Sequence, residues 1–193
     1  AFVDPKTTYA SGQNSWATTG LQFSMDFAVV KQSIALLRAR GVAVMLSVGG
    51  SADAYKFPKP FVNGNAFCLW ALCQDLGCNG LDIDWEDSYK NRDDLTNIIK
   101  TLAYLKDVRR LSAACWSTGA YPNDGSDYQG MNIASLQSQG LALDWINIMS
   151  YDAGPTYDME KAYNAYQAIF QKPIYLGLLV GQPGWGGYLT TEA

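Results

Sequence analysis

Asn79-Gly80-Leu81-Asp82-Ile83-Asp84-Trp85-Glu86 places three carboxylates at every second position of an apolar run. In an extended chain alternate side chains share a face, so Asp82, Asp84 and Glu86 point one way and Leu81, Ile83 and Trp85 the other. Successive acids on that face are roughly 6.6 Å apart along the backbone, close enough in a low-dielectric setting for each charge to oppose its neighbour. At least one of the three should therefore keep or share a proton, and a carboxylic acid still protonated near neutrality is what general acid chemistry requires. Glu86, the longest and the nearest to the strand's C-terminal end, is the natural donor. The competing reading, that the acids hold an Arg, a Lys or Ca²⁺, lacks a matching cation in the neighbouring interior runs.

Four other β-like runs accompany this one: VAVMLSVGG from 42, RLSAACW from 110, WINIMSYD from 145 and PIYLGLLV from 173. Between them lie one-sided apolar stripes at helical spacing. They run through Phe27, Val30, Ile34 and Leu37; Leu69, Leu72, Cys73 and Leu76; Leu95, Ile98, Ile99, Leu102 and Leu105; and Met159, Ala162, Tyr163, Tyr166 and Phe170. Asp26, Asp93 and Asp158 fall where helices should start, Gly41 and Gly77 where they should stop. Strict β-α alternation implies right-handed crossovers and a parallel sheet, hence an α/β fold. An open doubly wound sheet would bury the three acids under a helix. A closed barrel turns that face to its interior and to the C-terminal mouth, so the sequence predicts a (β/α)8 TIM barrel.

Such a barrel takes about 250 residues, whereas this chain has 193 and offers five full strands plus a truncated one at AFVDP, residues 1–5. The expectation is an incomplete barrel occupying residues 1–193 as a single partial domain, with the remainder supplied by the same longer chain.

Composition narrows the chemistry. With 14 Lys plus Arg against 18 Asp plus Glu, the net charge is −4 and no basic face is available for phosphates, so nucleic acid is not an expected partner. The apolar runs are far shorter than the roughly 20 residues of a membrane span, and no membrane association is expected. There is no histidine, which removes Ser-His-Asp triads, Cys-His dyads and His-ligated metal sites. Cys68 and Cys73 sit about 140° apart around one helix, which suits neither a mutual bridge nor a shared zinc. With Cys78 and Cys115 they are read as buried thiols, and no metal or cofactor is expected.

NGLDIDWE at 79–86 resembles the DGxDxDxE strand of the family 18 glycoside hydrolases, the chitinases and their relatives. SVGG at 47–50 resembles that family's SxGG on the preceding strand, and IMSYD at 148–152 its QMxYD, with Met149, Tyr151 and Asp152 matching. The resemblance runs from AFVDP as the end of strand two to the loop after strand seven. It implies chitinase-like, endo-acting hydrolysis of β-1,4-linked N-acetylglucosamine polymers by a substrate-assisted retaining mechanism, without a protein nucleophile. Glu86 would protonate the glycosidic oxygen and later activate water. Asp84 would orient the acetamido N–H, Asp82 would share its proton from below, and Tyr151 would hold the acetamido carbonyl. Asp152 and Met149 would contact the same sugar. The substrate implied is chitin or chitooligosaccharide, and the location secreted.

Other readings of these residues stand beside the resemblance. Asn147, Met149 and Tyr151 share one strand face and project inward with the acids, although Tyr151 could simply pack there with its hydroxyl on a carbonyl. Ser47, Gly49 and Gly50 read as structural support. Trp16, Tyr55, Trp116 and Trp185 fall where loops should be, and sugar rings stack on such faces, with Trp116 and Trp185 the candidates for substrate contact. Trp70 and Trp85 read as core. Asn79 replaces the family's first Asp at the strand base, which bears on anchoring rather than proton transfer. No eighth strand is expected within residues 1–193, and with it the tryptophan that the family carries there is expected to lie outside them. Endo-β-N-acetylglucosaminidase action on N-glycans and a non-hydrolytic chitin-binding lectin are the alternative functions.

Overall fold

In a computed structural model describing residues 2–21, 24–87, 92–106, 109–122 and 129–179, the acidic stretch forms strand β2, Gly80–Asp84. It lies between β1, Met45–Gly49, and β3, Arg110–Cys115, followed by β4, Trp145–Met149, and β5, Ile174–Gly177. Every pairing is parallel and the order across the sheet is the order along the chain. A doubly wound sheet reverses its order partway across; this one does not, as a barrel requires. Val3 bridges in parallel to Val48 on the edge of β1 away from β2, its N–H donating to the Ser47 carbonyl at 3.0 Å. That is where AFVDP was expected to end a further strand.

Among the described residues five α-helices lie on the other face: α1 (Phe27–Ala39), α2 (Asn63–Leu76), α3 (Arg92–Leu105), α4 (Ile133–Gln139) and α5 (Met159–Ile169). Each packs on the next along the chain, the beginning of an outer ring. The core sits between sheet and helices. Leu81, Ile83 and Trp85 from β2 and its exit meet Leu111, Ala113, Cys115, Ile146 and Ile148 from the neighbouring strands, all buried under Leu69, Leu72, Ile98, Ile99 and Leu102. Each large aliphatic side chain buried there contributes about 1.5–3 kcal/mol. Trp70 and Trp85 are both core residues, Trp70 donating its indole N–H to the Leu102 carbonyl.

Local signals were mostly legible. Gly77 ends α2 in the left-handed conformation at φ 76°, and Gly41 (φ 80°) follows the end of α1. Asp158 caps α5 by accepting from the Lys161 N–H. Asp26 occupies the start of α1 without a side-chain cap bond, and Asp93 falls inside the first turn of a helix described from Arg92. Helix α4 was not expected. It has only seven residues and its buried face includes Ser135, hydrogen-bonded to Thr96 of α3, so its apolar stripe is too short and too polar to register. The first strand starts at Met45, three residues inside its apolar run, and Val42 is exposed. No disulfide joins any of the four cysteines; Cys73, Cys78 and Cys115 are buried and Cys68 half-buried. Among the described residues no helix is long and apolar enough to cross a membrane.

Two strand entries share one device. The Asn79 side-chain oxygen accepts from the Val44 N–H at 2.9 Å while the Asn79 N–H donates to the Val44 carbonyl at 2.7 Å. At the start of β4, Asp144 does the same with Leu111, at 2.8 and 2.7 Å. A side chain with an acceptor oxygen on Cγ closes both loops of the pairing, so Asn at 79 serves as well as Asp. Asn79→Asp should therefore leave the urea midpoint nearly unchanged, whereas Asn79→Leu, which strands the Val44 N–H, should cost about 1–3 kcal/mol; equal stability of the two variants would contradict this role.

Candidate active site

The strand period that buries Leu81 and Ile83 against helices sends Asp82 and Asp84 to the opposite, interior face. Register then stacks them in layers: Ser47, Asp82 and Ser112 lie side by side at one level, Gly49, Asp84 and Ala114 at the next. Asp82 accepts hydrogen bonds from Ser112 Oγ (2.5 Å), Asn147 Nδ2 (3.3 Å) and Ser47 Oγ (3.5 Å). Burial raises its carboxyl above the ordinary range and these three donors pull it back. Asp84, one layer up, is 6% exposed and its Oδ1 has no hydrogen-bond partner among the described residues. Burial, and then the charges of Glu86 and Asp82, push its pKa up to about 7.

Glu86, just past the strand, is half-buried. Burial raises its carboxyl too, and the nearby Ser51 backbone N–H limits the rise. The repulsion expected among the three acids is present, and its largest effect falls on the middle acid, flanked on both sides and given no donor of its own.

The exit of β1 is shaped to leave these acids room. Gly49 has φ 108°, and a Cβ there would run into the Asp84 carbonyl oxygen and the Phe57 ring. Gly50, at φ 114°, donates its N–H to the Asp84 carbonyl at 2.8 Å. Only glycine fits the first position, which gives SVGG the supporting role its composition suggested.

Beyond Glu86 opens a cleft of about 910 Å³ at the C-terminal ends of the strands, lined among others by Ser51, Glu86, Trp116, Met149, Tyr151 and Asp152. Tyr151 is half-buried against Gly177, and burial followed by the charges of Asp84 and Glu86 raises its phenol. It therefore stays a hydroxyl donor. Asp152 is exposed in the left-handed conformation at φ 51°, a geometry Asp tolerates better than most residues. Trp116 has both backbone groups tied down: its N–H donates to Asn132 Oδ1 at 3.0 Å and its carbonyl accepts from the Tyr166 hydroxyl at 2.6 Å. Gly119 leaves the space for that latch, since a Cβ there would collide with Asn132 and Tyr166.

Asp82, Asp84, Glu86, Tyr151, Asp152, Met149 and Trp116 are thus gathered around one interior line and its mouth. Trp185 lies outside the described residues. Two loop aromatics read as possible sugar platforms do other work: Trp16 packs on Phe27 at 4.8 Å and Tyr55 donates its hydroxyl to the Gly20 carbonyl. The sequence reading missed Ser51 as a backbone donor, because a main-chain N–H leaves no sequence trace. It also missed Ser112, although its place in the register with Asp82 follows from the alternation of β3. Tyr121 and Lys161, which line the far wall with the Lys161 ammonium 4.6 Å from the Tyr121 ring centre, come from segments distant in sequence, Lys161 from the first turn of α5. Among the described residues no group of three His, Cys, Asp or Glu is arranged to hold a metal ion.

The fold and the site together define an α/β barrel, incomplete over the described residues, with a buried acid strand opening at the C-terminal ends of its strands. The sequence profile of Glycosyl hydrolases family 18 matches residues 3–173, and the chain belongs to that family. Endochitinase 1 of Metarhizium anisopliae is 28% identical over 166 residues, covering 79% of this chain and 37% of that protein. Concanavalin B superposes with a TM-score of 0.62 at 18% identity over 98% of this chain and 73% of its own. A fungal endo-β-N-acetylglucosaminidase of family 18 superposes with a TM-score of 0.56 at 20% identity, covering 74% of this chain and 52% of its own. The chain therefore spans well under half the length of the fungal endochitinase it matches.

The raised Asp84 carboxyl has a measurable signature. The folded protein holds that proton to about pH 7, whereas an unfolded Asp releases it near pH 4. Its stabilising contribution is thus complete below about pH 4 and lost as pH rises through about 7. Asp84→Asn removes this loss, so its stability relative to wild type should grow between about pH 4 and 7 and then level off. Urea midpoints at about pH 4, 6 and 8 test this, and a pH-independent difference would sink it.

Proposed function

We propose that this part of the protein hydrolyses β-1,4-linked N-acetylglucosamine polymers, chitin and its oligosaccharides, by a substrate-assisted retaining route. The observation that carries the reading is the buried acid strand ending at a half-exposed Glu86 in a cleft, with Tyr151 beside it. Glu86 gives its proton to the glycosidic oxygen as the bond from that oxygen to the anomeric carbon breaks. The acetamido carbonyl oxygen of the same sugar forms the new bond to that carbon, leaving an oxazolinium ion. Glu86, now a carboxylate, then takes a proton from the water that attacks the same carbon and reopens the ring. Two displacements at one carbon retain its configuration.

The other residues serve charge and orientation. Asp84 Oδ1, without a partner among the described residues, accepts the acetamido N–H. Near neutrality its proton is shared with Asp82, whose three donors favour the ionised form, and the charge left between them offsets the positive charge developing on the sugar. Tyr151 donates its hydroxyl to the acetamido carbonyl, fixing it for attack. Met149 and Asp152 contact this sugar, and Trp116 offers its ring to a neighbouring one. The nucleophile belongs to the substrate, so the route calls for no cofactor. A polymeric substrate is met outside the cell, so export goes with this reading.

Glu86→Gln in the full-length protein should lower turnover of chitooligosaccharides by about 10²–10⁴-fold with substrate binding largely kept. Unaltered turnover would refute the assignment. Binding of chitin by the wild type without product release would replace it with a carbohydrate-binding role, and release of N-glycans in preference to chitooligosaccharides with the endoglycosidase activity.

A further inference from the structure

Glu86 and its neighbour Asp87 face opposite sides of the chain leaving β2. Glu86 lines the cleft, while Asp87 is buried on the helix side, its carboxylate 2.6 Å from the Lys59 ammonium and 3.9 Å from that of Lys56. Lys59 also reaches Asp94 of α3 at 3.0 Å. Both lysines belong to the β1–α2 loop, which begins with Ser51, a residue that lines the cleft beside Glu86 and whose backbone amide favours the Glu86 carboxylate. One loop therefore meets two consecutive residues from both faces, with Ser51 on the cleft side and ammonium groups on the other.

The loop is itself held at several points. Asn97 of α3 donates to the Phe61 carbonyl at 2.9 Å, Lys6 donates to the Ala54 carbonyl at 2.8 Å, and Phe57 and Phe61 pack edge-on at 5.4 Å. Charge is also sorted across the strand. Among the described residues the ion pairs put Lys56 and Lys59 on Asp87, and none reaches Asp82, Asp84 or Glu86. Removing one partner of a buried ion pair is strongly destabilising, and losing Lys59 takes from buried Asp87 the nearer of its two ammonium groups, which shifts the turn one residue from the proton donor.

We propose that Lys59 is a positioning residue for Glu86, acting through Asp87 and through the loop that presents Ser51. This rests on the hydrolase reading of Glu86 and goes beyond it by assigning control of the donor to a side chain outside the cleft. Misplacement by about 1 Å at a reacting group can cost about 100-fold in rate, while a sugar bound by the rest of the cleft loses little. Lys59 thus acts on turnover rather than on affinity.

The test uses the full-length protein and a fluorogenic N-acetylchitooligosaccharide. Lys59→Met should lower kcat by about 10- to 100-fold with KM within about twofold of wild type. Lys59→Arg, whose planar fork can bridge both carboxylates, should restore kcat to within about threefold. Asp87→Asn should cause the same loss as Lys59→Met, and the double variant should fall no further than either alone. Wild-type kcat in Lys59→Met, a lowered melting temperature with kcat retained, failure of Arg to rescue, or multiplying losses would each overturn the proposal. Turnover by the wild type separates that failure from failure of the hydrolase reading, in which the wild type itself would release no product.

Discussion

Desolvation of three like charges on one face of β2 is the constraint from which the site follows. A lone exposed carboxylate sheds its proton near pH 4; stacked at alternate positions and shut away from water, Asp82, Asp84 and Glu86 all have raised proton affinities. Hydrogen-bond donors then differentiate the three. Asp82 receives donors from three side chains and Glu86 a single amide, while Asp84 depends on its neighbours. A gradient of acidity is thereby built from identical chemical groups, by position alone.

That gradient is possible only because the same strand is apolar on its other face. Leu81, Ile83 and Trp85 pin it to the helices, so the acids cannot rotate away to solvent without tearing the core. At the opposite end of the sheet Asn79 and Asp144 fix where β2 and β4 begin relative to their neighbours. Since a slip of one residue would exchange the two faces, these entry pairings protect the chemistry at the other end of the strands. At the exit, Gly49 lets β1 lie directly against the Asp84 carbonyl.

The fold was readable because its signals were redundant. The acid strand, the evenly spaced apolar runs and the helical stripes all pointed to one α/β arrangement, and the sequential parallel order of the sheet agrees with it. Residues on strand faces were equally legible: period two alone brings Asn147, Met149 and Tyr151 to the side of the acids. What escaped reading depends on the backbone or on distant loops. The Ser51 amide, the Lys59 pair with Asp87, and the Tyr121–Lys161 wall have no spacing rule that links them in sequence. Helix α4 escaped because its buried face is partly hydroxyl, and Trp16 and Tyr55 misled because an aromatic in a loop looks the same whether it serves a core or a cleft.

The latch around Trp116 sets how this wall of the cleft can adapt. With its amide held by Asn132 and its carbonyl by Tyr166, the main chain under the indole is fixed, and the indole itself packs against the core with its Nε1 shut away from solvent. Exposed side chains change rotamer in picoseconds to nanoseconds, a freedom this half-buried ring lacks. The wall is therefore a preset surface, its shape settled by folding before anything enters the cleft.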